Sequence, residues 1–99
     1  MNIAGAVTYD PIKTSSATSS GPSNVKKLVA PPGTDAMALS VESPAIRVRF
    51  DGVKDALRLV GPDHFFAIGK TFHFASAEEG HSAKVTVVWL RARLTKHGA

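Results

Sequence analysis

After residue 35, apolar and polar residues alternate in short runs, and this alternation limits the possible folds more than any other pattern in the sequence. In "AMALSVE", Met37, Leu39 and Val41 alternate with smaller or polar residues, and "AIRVRF" repeats the pattern with an arginine at every second position. A period of two places successive side chains on opposite faces of a β-strand. The two segments therefore predict two half-buried strands, separated by Ser43 and Pro44.

Further strands are predicted toward the C-terminus. "HFFAIG" and "TFHFAS" are short, aromatic-rich segments that end in turn residues. "AKVTVVWLRARL" has apolar residues on both parities, which is typical of a central strand or of a strand whose outer face meets another chain. The aromatic residues of these segments are predicted to form the core: Phe65, Phe66, Phe72, Phe74 and Trp89.

The segment "VKDALRLVGP" is compatible with two structures. Its apolar residues fit the spacing of a short helix, whereas Leu57 and Leu59 alternate with Arg58 as in a strand. We favour a strand or loop because the neighbouring segments are strands. Asp51 and Gly52, which precede it, predict a tight hairpin turn.

Residues 1–35 show neither periodicity. They hold nine Ser or Thr, four Pro and three Gly, which predicts an extended arm without a regular element. The arm's apolar residues form two groups joined by a polar spacer, and we expect them to anchor it on a partner: Ile3, Val7, Tyr9, Ile12, Val25, Leu28 and Val29. The predicted organisation is an N-terminal arm, residues 1–35, followed by a small β domain, residues 36–99.

Short strands without long helices between them predict a mainly β fold, either a small antiparallel β-sandwich or an open barrel. A core of about sixty residues buries only roughly 60% of the surface that its unfolded chain exposes, so association with a partner would add needed stability. Disulfides are excluded because the chain has no Cys, which also fits assembly in a reducing cytoplasm.

No feature predicts a membrane partner. Apolar runs stay far below the roughly 20 residues of a membrane-spanning helix. The N-terminus "MNIAGAVTYDP" also lacks the early Lys or Arg of a signal peptide. We therefore expect a soluble protein.

The sequence carries no catalytic signature. It contains neither a GxSxG elbow nor a Gly-rich phosphate loop. The candidate metal ligands match no recognised zinc spacing and are interpreted as surface residues: His64, His73, His81, Asp63 and Glu79. We therefore predict a protein that is not an enzyme, with no catalytic residue, metal or cofactor.

The formal net charge of +4 would suit nucleic acid, an anionic surface or an acidic protein partner. Basic residues are scattered among acidic ones, however, which argues against nucleic acid as the main partner. We instead predict that four arginines make polar contacts with neighbouring subunits: Arg47, Arg49, Arg91 and Arg93. A basic nucleic-acid-binding β module and a free ligand-binding β-barrel stay open as alternatives.

Four stretches, "AMALSVE", "AIRVRFDG", "HFFAIGKTFHF" and "AKVTVVWL", resemble small virion proteins encoded in the structural modules of tailed bacteriophages. The likeness spans residues 36 to about 94 and leaves out the arm. It departs from the expected pattern at "VKDALRLVG", where a loop rich in Pro, Thr and Gly would follow the Asp-Gly pair.

The resemblance implies a structural role in the virion and no activity. The first expectation is a capsid decoration or cement protein, made in the host cytoplasm, whose arm clamps neighbouring capsid subunits at the capsid surface. The alternative is a tail or head-to-tail accessory protein. The implied partners are the major capsid protein or other virion proteins and further copies of the chain, for which a trimer would suit a local threefold axis.

Overall fold

A computed structural model describes residues 6–42, 45–51 and 54–95. These residues form eight strands: β1 (Ala6–Ser19), β2 (Lys26–Val29), β3 (Ala36–Val41), β4 (Ala45–Phe50), β5 (Leu57–Val60), β6 (Asp63–Ile68), β7 (Thr71–Ser76) and β8 (Ala83–Thr95). In the part of the chain described here, no helix is long and apolar enough to cross a membrane.

The strands form two antiparallel sheets of four strands. Sheet A has the order β1-β8-β3-β6 and sheet B the order β2-β7-β4-β5. Four pairings are nested, β1 with β8, β2 with β7, β3 with β6 and β4 with β5, as in one long hairpin. Rolling up this hairpin also pairs β3 with β8 and β4 with β7. This topology is a jelly roll, and it confirms the predicted mainly β, antiparallel sandwich.

The core lies between the sheets and is built from the predicted alternation. Its fully buried side chains include Met37, Leu39 and Val41 of β3, Ile46 and Val48 of β4, Phe72 and Phe74 of β7, and Val85, Val87 and Trp89 of β8. The rings of Trp89 and Phe72 come from opposite sheets, with centroids 6.0 Å apart. The two inner faces therefore interdigitate around these aromatic residues.

Two predictions about individual strands are confirmed. β8 is central, since it lies between β1 and β3. The ambiguous segment contains the strand β5, which pairs with β4 from Val48 opposite Leu57 to Ala45 opposite Val60. β4 ends at Phe50 and β5 begins at Leu57, and the predicted turn at Asp51 and Gly52 lies partly outside the described residues, which leave out Gly52.

The prediction that Phe66 belongs to the core is also wrong. Phe65 is half-buried against the core, whereas Phe66 is 54% exposed. Neighbouring residues of a strand point to opposite faces, so only one ring of the pair can enter the core of a sheet that is covered on one side.

The largest difference from the sequence prediction concerns residues 6–35, where we expected no regular element. β1 pairs with β8 from Ala6 opposite Thr95 to Ser19 opposite Ala83, and β2 pairs with β7. The sequence shows no clear alternation here because the side chains of β1 that face the core are small, as at Ser15 and Ala17. The division of the chain at residue 35 stays a prediction.

Serine hydroxyls help to hold the first strand in place. Ser19 is fully buried, and its hydroxyl accepts a hydrogen bond from the Ser76 amide of β7 at 2.9 Å. The same hydroxyl lies 2.6 Å from the Asn24 carbonyl oxygen, to which it donates. Ser19 therefore ties β1 of sheet A to β7 of sheet B.

β1 and β8 extend beyond their neighbours as a two-stranded ribbon. β3 pairs with β8 only from Val85 to Leu90, so residues 91–95 of β8 pair with residues 6–10 of β1 alone. We call these two segments the terminal ribbon. It accords with the elongated shape of the chain, which measures 57 × 25 × 24 Å.

Candidate functional site

The outer face of sheet A carries a group of exposed apolar side chains. Directly opposite residues of antiparallel strands share a face, so the pair Val7 and Leu94 lies on the same face as Tyr9 and its partner Ala92. Phe66 lies on this face too, because it is opposite Ala38, and Ala38 is opposite Val88 on the same side of β8. The exposed fractions are Val7 55%, Tyr9 37%, Phe66 54%, Ile68 69% and Leu94 68%. We call these five residues the apolar face.

A ring contact links the two edges of this face. The centroids of Tyr9 and Phe66 are 5.1 Å apart and the rings meet edge to face at 66°. Their strands, β1 and β6, are the opposite edges of sheet A, so the rings reach toward each other across β8 and β3. The residues paired with them, Ala92 and Ala38, are small and leave room for this.

The other side of the terminal ribbon is polar. Arg93 Nε lies 3.1 Å from Asp10 Oδ2, with both side chains about half exposed or more, 63% and 49%. Such a pair contributes only about 0–1 kcal/mol. The Arg91 guanidinium lies against Gly33, where a Cβ would come within 2.6 Å of Nη2. Both arginines therefore already contact other parts of the chain.

A basic groove lies on the outer face of sheet B. Its volume is about 630 Å³, and its lining includes the basic side chains Arg47, Arg49, Lys54 and His73, Ala75 of β7 and, at one side, Val25. Arg49 is opposite His73, which is opposite Lys27 on β2. Arg47 is opposite Ala75 on one side and Arg58 on the other. Strand pairing thus gathers basic residues from four strands on one face.

The structure divides the four predicted contact arginines between two places. Arg47 and Arg49 are exposed on the basic groove, whereas Arg91 and Arg93 lie on the terminal ribbon at the edge of sheet A. Sequence reasoning did not identify Lys54 and His73 as residues of a contact surface. The parity of "TFHF" places His73 on an outer face, but only the register between β4 and β7 brings it beside Arg49.

The predicted arm anchors also separate. Val7 and Tyr9 lie on the apolar face, and Ile12, 37% exposed, lies at the register shift of β1. Val25 lines the basic groove, and Val29 is 62% exposed at the end of β2. Leu28 is half-buried against the chain's own core, opposite Phe72. Ile3 lies outside the described residues.

The histidines considered as metal ligands lie apart. His64 is on sheet A, where its Nδ1 is 2.9 Å from the Ser40 hydroxyl. His73 is on sheet B, and His81 lies in the connection before β8. Across residues 6–42, 45–51 and 54–95, no group of three or more His, Cys, Asp or Glu side chains is arranged to hold a metal ion.

Comparison with known proteins adds no relative: no family model, curated protein or solved structure matches this chain.

Proposed function

We propose that this chain is a non-enzymatic structural protein of a bacteriophage virion, most specifically a capsid decoration or cement protein. Such a protein stabilises a capsid by covering the joints between its subunits. The virion context rests on the sequence resemblance, and the proposed contact surface rests on the apolar face.

The observation that carries the proposal is the exposure of the apolar face. A contiguous apolar surface on a soluble protein marks a site of interaction with another protein or with a membrane. Here the exposed Val7 and Leu94 form a cross-strand pair at the far end of the chain's first and last strands. Tyr9 and Phe66 continue the surface onto the body of sheet A.

The N-terminal segment would clamp a neighbouring capsid subunit through the terminal ribbon. Two strands alone are only marginally stable in water, and this ribbon has one apolar side and one charged side. Placing the apolar side against a capsid subunit would bury Val7 and Leu94 and order the ribbon at the same time. The predicted arm would then contact the capsid as a strand that is already paired with β8.

The topology agrees with this role without deciding it. Eight-stranded jelly rolls occur in viral capsid proteins, and also in lectins and cupins. Because one fold serves many functions, the argument for binding stays with the surface residues.

The proposal is tested with capsids assembled from the major capsid protein of the virus that encodes the chain. The purified chain is mixed with these capsids and the bound fraction is measured by co-sedimentation. The variant Val7→Asp/Leu94→Asp should lose binding, because two carboxylates would have to be desolvated at the contact. Both side chains are exposed, so the variant should still fold.

The matched control is Ser16→Asp/Thr18→Asp, which adds the same charge at exposed positions of β1 distant from the ribbon. It should bind capsids like the unmodified chain. Equal loss in both variants, or no binding by the unmodified chain, would overturn the proposal. Binding to isolated tails and not to capsids would support the alternative of a tail or head-to-tail accessory protein.

A nucleic-acid-binding module is the second candidate, and the basic groove is the observation in its favour. Affinity for nucleic acid would fall steeply and linearly in log[salt], since bound counterions are released. Docking through the apolar face should change little over the same salt range. Co-sedimentation at several salt concentrations therefore separates the two.

A further inference from the structure

We propose that the basic groove binds an acidic segment of a partner protein, with Arg47, Arg49 and Lys54 receiving its carboxylates. The groove is on sheet B, opposite the sheet that bears the apolar face. The proposal is independent of the capsid role, since it follows from the charge and shape of this second surface.

The charge of the groove is unbalanced. Arg47 stands directly opposite Arg58 in register, and like charges at such positions destabilise a sheet. Glu78 lies 3.5 Å from Arg58, and no carboxylate of the described residues forms an ion pair with Arg47, Arg49 or Lys54. A bound anion would balance these charges.

The basic side chains of the groove match carboxylates in geometry. A guanidinium presents a planar fork of donors that pairs with a carboxylate through two parallel hydrogen bonds. Arg47 and Arg49 are two residues apart on one strand and point to the same face. Carboxylates at alternate positions of an extended segment would meet both, with Lys54 as a third cation.

The walls of the groove favour a peptide over a nucleic acid. Pro22, Val25 and Ala56 line it, and such apolar walls suit the uncharged side chains between carboxylates. Single-stranded nucleic acid is bound largely through exposed aromatic rings on which its bases stack. Of Phe, Tyr and Trp, the groove holds Phe74, which is only 1% exposed.

The test uses the full chain and a short fluorescein-labelled peptide of alternating aspartate and valine. Binding is followed by fluorescence anisotropy, and an oligothymidylate of equal charge serves as the nucleic-acid probe. The peptide should bind saturably, and Arg47→Gln/Arg49→Gln should weaken it by about tenfold or more, which corresponds to loss of about 1.4 kcal/mol. Amide NMR spectra verify that the variant keeps its fold.

The control is Lys70→Gln/Lys84→Gln, which removes the same charge at exposed positions away from the groove. It should bind the peptide like the unmodified chain. Equal weakening in both variants would reduce the effect to net charge and overturn the proposal, as would the absence of saturable peptide binding. Preference for the oligothymidylate, lost in the Arg47→Gln/Arg49→Gln variant, would reassign the groove to nucleic acid.

Discussion

The indole Nε1 of Trp89 donates a hydrogen bond to the hydroxyl of Ser15, 3.1 Å away. Trp89 is fully buried at the centre of the core, and Ser15 belongs to the first strand. The bond thus joins the first strand, β1, to the last, β8, at a site that water cannot easily reach. It also shows how a strand with few apolar residues can still belong to a sandwich: its polar side chains satisfy donors of the core.

Replacing Ser15 by Ala should destabilise the fold. The Trp89 N–H would lose its partner inside the core, and an unsatisfied buried donor costs about 1–3 kcal/mol. The measurement is the free energy of unfolding from urea titration. Ser16→Ala is the control, since Ser16 is exposed on the opposite side of the same strand, and it should change the free energy by less than about 0.5 kcal/mol. Equal effects of the two substitutions would contradict the assignment.

Replacing Ser19 by Ala should loosen the contact between the sheets. The buried Ser76 amide, which donates to the Ser19 hydroxyl, would be left unpaired, at a cost of about 1–3 kcal/mol. Hydrogen exchange read at the Ser76 amide should accelerate more than exchange at the core amides of β3. Ser23→Ala, in the exposed turn between β1 and β2, should leave the Ser76 rate unchanged; unchanged protection in Ser19→Ala would show that the bond is dispensable.

Replacing Arg47 by Thr should stabilise the protein and weaken the binding of an acidic peptide at the basic groove. The substitution removes the like-charge pair with Arg58, which is expected to raise the free energy of unfolding by about 0.2–1 kcal/mol, most strongly at low salt. Arg49→Thr is the matched control. It introduces the same strand-favouring residue, but Arg49 stands opposite His73 and not opposite another arginine. A gain in Arg47→Thr that does not exceed the gain in Arg49→Thr would remove the repulsion argument.

Limited proteolysis tests whether the first strand is paired in the free protein. Because β1 pairs with β8 along its length, a protease of broad specificity should cut in the turn at residues 20–24 and spare residues 14–19. The exposed connection at residues 79–82 serves as an internal control for protease activity. Rapid cleavage within residues 14–19 would mean that the segment is a free arm in solution.

Much of the sandwich was predictable from the sequence because strand periodicity is a local property. The alternation in β3 and β4 identified Met37, Leu39, Ile46 and Val48 as core residues, and all four are buried. It also placed Arg47 and Arg49 on an outer face, where the structure has them. The virion role and the arginine contacts remain predictions, since they concern partners.

The alternation of apolar and polar residues is enough to locate most strands after residue 35 and to identify their apolar faces. That residues 6–19 form a strand depends on contacts between distant parts of the chain. β1 is stabilised by pairing with β8 and by single hydrogen bonds such as the one that Trp89 donates to Ser15. The composition of the apolar face and of the basic groove also depends on the tertiary structure. Tyr9 meets Phe66, and Arg49 meets His73, through registers between distant strands, and a register depends on how whole sheets pack.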